Sequence, residues 1–146
     1  MPEKKTIERA RQDAREGKAP STQAGEFVRE EMHHIRQGKH GAASAKQAIA
    51  IGLSKARRSG VNLRPPAKGK TTEKTRRSAM GALRKGRRHA PISRTRSQAR
   101  SKALRREGRV AASHRALSRQ ARLAARRRGG ASRRASARRA ARTRRR

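Results

Sequence analysis

The chain has 146 residues, with 44 Lys and Arg against 9 Asp and Glu, and a formal charge of +35. With one Phe and neither Tyr nor Trp, it has few large apolar side chains whose burial can offset chain entropy, so an ordinary core is expected over only part of its length. The absence of Cys excludes disulfides, thiolate catalysis and cysteine-based zinc sites, and no apolar run is long enough for a membrane span, so a soluble, cytoplasmic protein is expected.

A first helix is predicted over residues 2–16, with Ile7, Ala10 and Ala14 as a thin apolar stripe and Gly17 as its stop. A second follows Pro20, with Ser21 or Thr22 as N-cap; it places Ala24, Phe27, Val28, Glu31, Met32 and Ile35 on one side before Gly38. A third starts at a capping box, Ser44 followed by Gln47, runs to about Ser59 and stops at Gly60. Ala45, Ala48, Ile49, Gly52, Leu53 and Ala56 share one of its faces, and small residues there permit close approach, so the second and third helices are expected to pair as a hairpin. Val61 and Leu63 are placed to cover its apolar end, and Pro65-Pro66 close a helical module over residues 1–64, with a stability of a few kcal/mol at most.

Residues 65–146 are a low-complexity mixture dominated by Arg, Ala, Ser and Gly. Helices are predicted near 72–88, 93–106 and 110–128, the last from the recurrence of Val110, His114, Leu117, Ala121 and Ala124, with Gly129-Gly130 as its end. Like charges at i and i+4 repel, so this segment is expected to be largely disordered, becoming helical on a polyanion. The expected fold class is thus all-α: a small helical module followed by a long, largely disordered or conditionally helical tail.

Charge is divided as sharply as composition. Residues 1–31 hold seven acids and seven bases, whereas from Arg64 onward 31 bases face only Glu73 and Glu107, a net +29. Duplex DNA carries one negative charge per about 1.7 Å, so this matches about 50 Å of duplex, or about 15 base pairs. The expected phosphate contacts are Arg57, Arg58, Arg76, Arg77, Arg84, Lys85, Arg87, Arg88, Arg105, Arg106, Arg115, Arg119, Arg122, Arg126, Arg127, Arg128, Arg133, Arg134, Arg138 and Arg139. The tail lacks the aromatics that stack unpaired bases and the Cys/His pairs of a zinc finger, so binding is expected to be indifferent to sequence. Nucleoid-associated duplex DNA binding is the leading expectation, and RNA or ribosome association the alternative. A reading of another class is a protein-interaction module anchored by its tail. The apolar face of Phe27, Val28, Met32, Ile35, Ile49 and Leu53 exceeds what a hairpin easily hides, which points to a homodimer; a membrane-surface role is disfavoured because the tail has no Trp or Phe to insert.

The stretch EFVREEMHHIRQGKHG, residues 26–41, holds the only cluster with acid/base or metal-ligating chemistry: Glu30, Glu31, His33, His34 and His40. On a helix His33 and His34 diverge, Glu30 and His34 point together at i and i+4, and a metal site needs His40 from the turn. Asp13 is the only Asp, and neither H-E-x-x-H nor a glycine-rich phosphate loop occurs. No enzymatic activity, cofactor or metal is therefore expected. Glu30 and His34 are expected as a surface pair, with Glu31 at the edge of the apolar face beside a basic residue of a neighbouring helix.

Residues 18–60, and especially GEFVREEMHHI and AIAIGLSKARR, resemble the core of short, very basic bacterial proteins built on a domain of unknown function and often labelled DNA-binding. The likeness covers about the first 64 residues and implies a bacterial source and a nucleic-acid partner, with no catalytic residues. The tail is similar in composition to bacterial histone-H1-like and protamine-like sequences.

Overall fold

The computed structural model describes residues 1–144, with side chains through Arg142. Helix α1 spans Lys4–Arg15, α2 Pro20–Arg36, α3 Ala45–Arg58, α4 Glu73–Arg87, α5 Arg94–Arg105 and α6 His114–Arg144; a 3-10 turn, Val110–Ala112, precedes α6, and no strand occurs among the described residues.

Local chemistry accounts for the helix starts. Ser44 Oγ accepts from the Gln47 N–H at 3.2 Å, and Gln47 Oε1 reaches back to the Ala43 N–H at 2.7 Å, one residue before the partner of an ideal capping box. α2 begins two or three residues earlier than expected: Pro20 occupies its first turn and Ala19 the cap position, because a proline's missing N–H is harmless where no intrahelical acceptor exists. Thr72, Ser93 and Ser113 cap α4, α5 and α6 through their hydroxyls.

α2 and α3 pair closely at Gly52, where an added Cβ would meet Val28 Cα at 2.7 Å and the Phe27 carbonyl oxygen at 3.0 Å. Their shared face carries two apolar clusters. Toward the start of α2, Ala24, Phe27 and Ala56 pack with Ala10 of α1 and with Val61, flanked by Ile7, Leu53 and Leu63. Toward its end, Met32, Ile35, Ala42 and Ala48 pack with Ala111 and Ala112, flanked by Val28, Ile49 and Leu117.

That second cluster overturns the expectation of a long disordered tail, because residues 111–117 lie inside it. Further contacts fix the same region. The Gly41 N–H donates to the Leu104 carbonyl at 2.8 Å, the Ala42 N–H to the Gly108 carbonyl at 3.0 Å, and Arg36 Nε to the Ala112 carbonyl at 2.9 Å. α4 lies along α3 so tightly that a Cβ on Gly86 would overlap the Arg57 carbonyl, and one on Gly41 would overlap that of Glu107.

Two physical terms were undervalued by the composition argument. Alanine and glycine bury little area each, but they bring backbones into contact, and dispersion between close-packed atoms accumulates. Alanine and arginine also rank among the best helix formers, so their propensity summed over a long run opposes the charge repulsion. α5 buries no residue and illustrates the second term by itself. The helical run that starts α6 breaks at Gly129, as expected from Gly129-Gly130: its φ 71°, ψ 168° is not helical, and a second helical stretch, not expected, follows the kink. The last two residues of the 65–146 segment lie outside the described residues.

Candidate nucleic-acid interface

α6 is anchored at its first turns, and that anchor orients its charge. Leu117 packs against the second apolar cluster. At 3.6 residues per turn, Arg115, Arg119, Arg122 and Arg126 all fall within about 40° of the direction opposite Leu117. All four are exposed, and with Ser118 and Leu123 they line one groove along the helix. From Arg115 to Arg126 the rise along the axis is about 16 Å. Arg127, Arg128, Arg133, Arg134, Arg138 and Arg139 are also exposed, on other sides of α6 and beyond its kink. No Asp or Glu follows Glu107 in the sequence, so no acidic side chain from that stretch lies along this helix.

The other expected phosphate contacts divide by position. Arg84 and Arg87 on α4, Arg88 just past it, and Arg105 and Arg106 at the end of α5, are exposed; Arg87 donates to Asn62 Oδ1 at 3.0 Å. Arg58 and Lys85 are half-buried. Arg76 donates to Glu73 Oε1 at 3.1 Å, and Arg77 lies 4.0 Å from the same oxygen, so Glu73 partly neutralises that turn. Arg57 is placed quite differently. It is buried, its Nε donates to the Leu63 carbonyl at 3.0 Å and its Nη2 to that of Arg64 at 3.3 Å, and desolvation lowers its pKa. Its guanidinium clasps the segment leaving α3, so it belongs to the fold and does not reach the surface.

Glu3, Glu30 and Glu31 gather instead on and around α2. Glu30 and His34, expected as a surface pair, are both buried, with Glu30 Oε1 3.8 Å from His34 Nδ1. Glu31 is fully buried, with Lys55 Nζ of α3 2.7 Å from its Oε2. Glu3 accepts from His34 at 2.7 Å and lies 3.3 Å from Lys39; these contacts, the histidine first, hold its carboxyl below the usual range. The docking of the chain's start onto α2, which brings Glu3 to His34, left no signal in the sequence pattern.

The apolar face offered for a homodimer is covered within the chain. Phe27 and Ile35 are fully buried, Met32 nearly so, and Val28, Ile49 and Leu53 half-buried under α1, residues 61–63 and residues 111–117. The argument for a partner copy on that face thereby loses its basis. Among the described residues no helix is long and apolar enough to cross a membrane.

No family model, curated protein or solved structure matches this chain.

Proposed function

We propose that the protein is a non-enzymatic binder of nucleic acid that grips duplex DNA through its phosphates, with α6 as the principal contact. The observation that carries this reading is the outward arginine stripe Arg115, Arg119, Arg122 and Arg126 on a helix with no acid after Glu107. Guanidinium forks suit phosphate oxygens, and an α-helix of about 10–12 Å diameter fits the duplex major groove, about 12 Å wide. Dense phosphate also relieves the repulsion among arginines one turn apart, so the charge that weakens α6 favours the complex.

α6 has little with which to read adenine, since no Asn occurs on it and its only amide side chain is Gln120, and its arginines are evenly spread with none set apart as a guanine reader. Binding is therefore indifferent to base sequence, and such a protein accumulates on the nucleoid of a bacterial cell. Protein-free phosphate surfaces of structured RNA are the competing target.

The test is duplex binding as a function of salt. About ten phosphate contacts give log K a slope near −9 against log salt, and replacing Arg115, Arg119, Arg122 and Arg126 together by Gln reduces its magnitude by about 3.6. An unchanged slope in that variant removes α6 from the interface. Crosslinking in cells with both DNA and RNA sequenced decides the target, and recovery of RNA alone replaces the duplex reading.

A further inference from the structure

Three side chains with metal-ligating atoms meet where α2 runs into the turn before α3. Glu31, His34 and His40 each offer one ligand atom, and the three atoms lie within 4.8 Å of one another. Glu31 and His34 are at i and i+3, the spacing with which helical bundles place a carboxylate and an imidazole on one ion. His40 comes back to them from the turn.

The hydrogen bonds around the cluster constrain where its protons are. His40 Nδ1 lies 3.1 Å from the Gly41 carbonyl oxygen, which only accepts, so Nδ1 carries the hydrogen. Its Nε2 then faces Glu31 Oε1 at 3.3 Å. At that separation a lone pair on Nε2 would oppose one on the carboxylate oxygen, so the contact calls for either a proton or a metal ion between them. His34 repeats the pattern: Nε2–H donates to Glu3 Oε1 at 2.7 Å, leaving Nδ1 as the nitrogen with an available lone pair. Glu31 is fully buried, and neither of its oxygens has a hydrogen-bond partner, although the Lys55 ammonium stands 2.7 Å from Oε2. A buried carboxylate without directional partners is costly, and an ion on Oε1 supplies the missing one.

We propose that Glu31, His34 and His40 form a binding site for one divalent transition-metal ion, with Zn2+ the best match to two imidazoles and a carboxylate. Ligand atoms about 2.0–2.1 Å from a tetrahedral ion are about 3.4 Å apart, close to the 3.3 Å already present between Glu31 Oε1 and His40 Nε2. Each ligand has the kind of outer partner that orients metal ligands: the Gly41 carbonyl on His40, Glu3 on His34, and Lys55 on the second oxygen of Glu31. Glu30, 3.8 Å from His34 Nδ1, adds negative charge beside the ion. Three protein ligands with water as the fourth make this a pin that ties the end of α2 to the turn before α3 and, through Glu3, to the start of the chain. The proposal does not depend on the nucleic-acid reading.

The test uses the full, tag-free chain, stripped with chelator and freed of nucleic acid by nuclease and high salt. Titration with Co2+ alone should give the visible absorption of a four-coordinate ion, saturating at one equivalent per chain, and Zn2+ should displace it. His40→Gln, on the turn, should weaken Co2+ binding at least about 10-fold while circular dichroism keeps the native helicity. His33→Gln, on the exposed side of the same helix, should leave the titration unchanged. Absence of the Co2+ spectrum overturns the proposal, as does binding that survives His40→Gln or falls equally with His33→Gln. In those cases a proton on His40 Nε2 fills the gap instead.

Discussion

α2 and α6 are both long helices, yet they are helical for different reasons. α2 buries Ala24, Phe27, Glu30, Glu31, Met32, His34 and Ile35, so its conformation is dictated by what it packs against. α6 is held only near its start, through Leu117 and the adjoining 3-10 turn, and beyond this it consists mainly of Ala, Arg, Ser and Gly. Burial specifies one helix and backbone preference the other. The difference matters for function, because a helix that hides little can leave almost all of its charge outside.

The comparison is most sharply tested at Phe27. Phe27→Ala should cost about 3–5 kcal/mol and abolish or severely weaken the cooperative denaturant transition, since it empties the larger part of one cluster. Leu123→Ala on α6, where the side chain is largely outside, should change stability by less than about 0.5 kcal/mol.

A smaller effect tests whether the basic half is docked, and here the sign decides. Gly86→Ala should destabilise by about 1–3 kcal/mol, because the added methyl meets the Arg57 carbonyl; Gly81→Ala, five residues earlier on the same helix with open space around it, should stabilise by up to about 1 kcal/mol. If α4 were detached from α3, both substitutions would stabilise. Urea denaturation of the two variants gives the answer.

For α6, replacing Ala121 and Ala137 by Gly should remove about 1 kcal/mol of local helix stability at each site. Far-UV circular dichroism should fall while the denaturation midpoint of the buried half stays in place. A loss of midpoint would mean that burial holds α6 after all. The smallest effect is at His89, a non-glycine residue at φ 48° just past α4. His89→Gly should relieve that left-handed conformation and add about 0.5–1 kcal/mol, measurable as a rise in Tm.

The parts of the fold legible in the sequence were those governed by short-range rules. Helix starts at Ser44, Thr72 and Ser93 follow from cap chemistry, and the inward set Phe27, Met32 and Ile35 follows from a 3.6-residue period. The docking of residues 104–117 was not legible, because its elements are backbone hydrogen bonds from Gly41 and Ala42 and the burial of Ala111 and Ala112. Such groups look the same in the sequence whether they are packed or loose. The cluster of Glu31, His34 and His40 was legible only in part: the need for His40 from the turn followed from the helix geometry, but that geometry paired His34 with Glu30 and not with Glu31. Arg57 shows the converse error, since an arginine in a basic sequence reads as surface charge until its carbonyl partners are known.

The joint between the two halves consists mostly of uncharged groups: the N–H of Gly41 on the Leu104 carbonyl, the N–H of Ala42 on the Gly108 carbonyl, and two alanines sunk into an apolar cluster, with Arg36 Nε on the Ala112 carbonyl as a charged exception. Ionic screening acts strongly on exposed charges at a distance and only weakly on contacts of this kind. Rising salt should therefore strip a polyanion from the arm while leaving the shoulder that carries it in its socket. On the function proposed above, the molecule lets go without coming apart and re-engages with its arm already aimed.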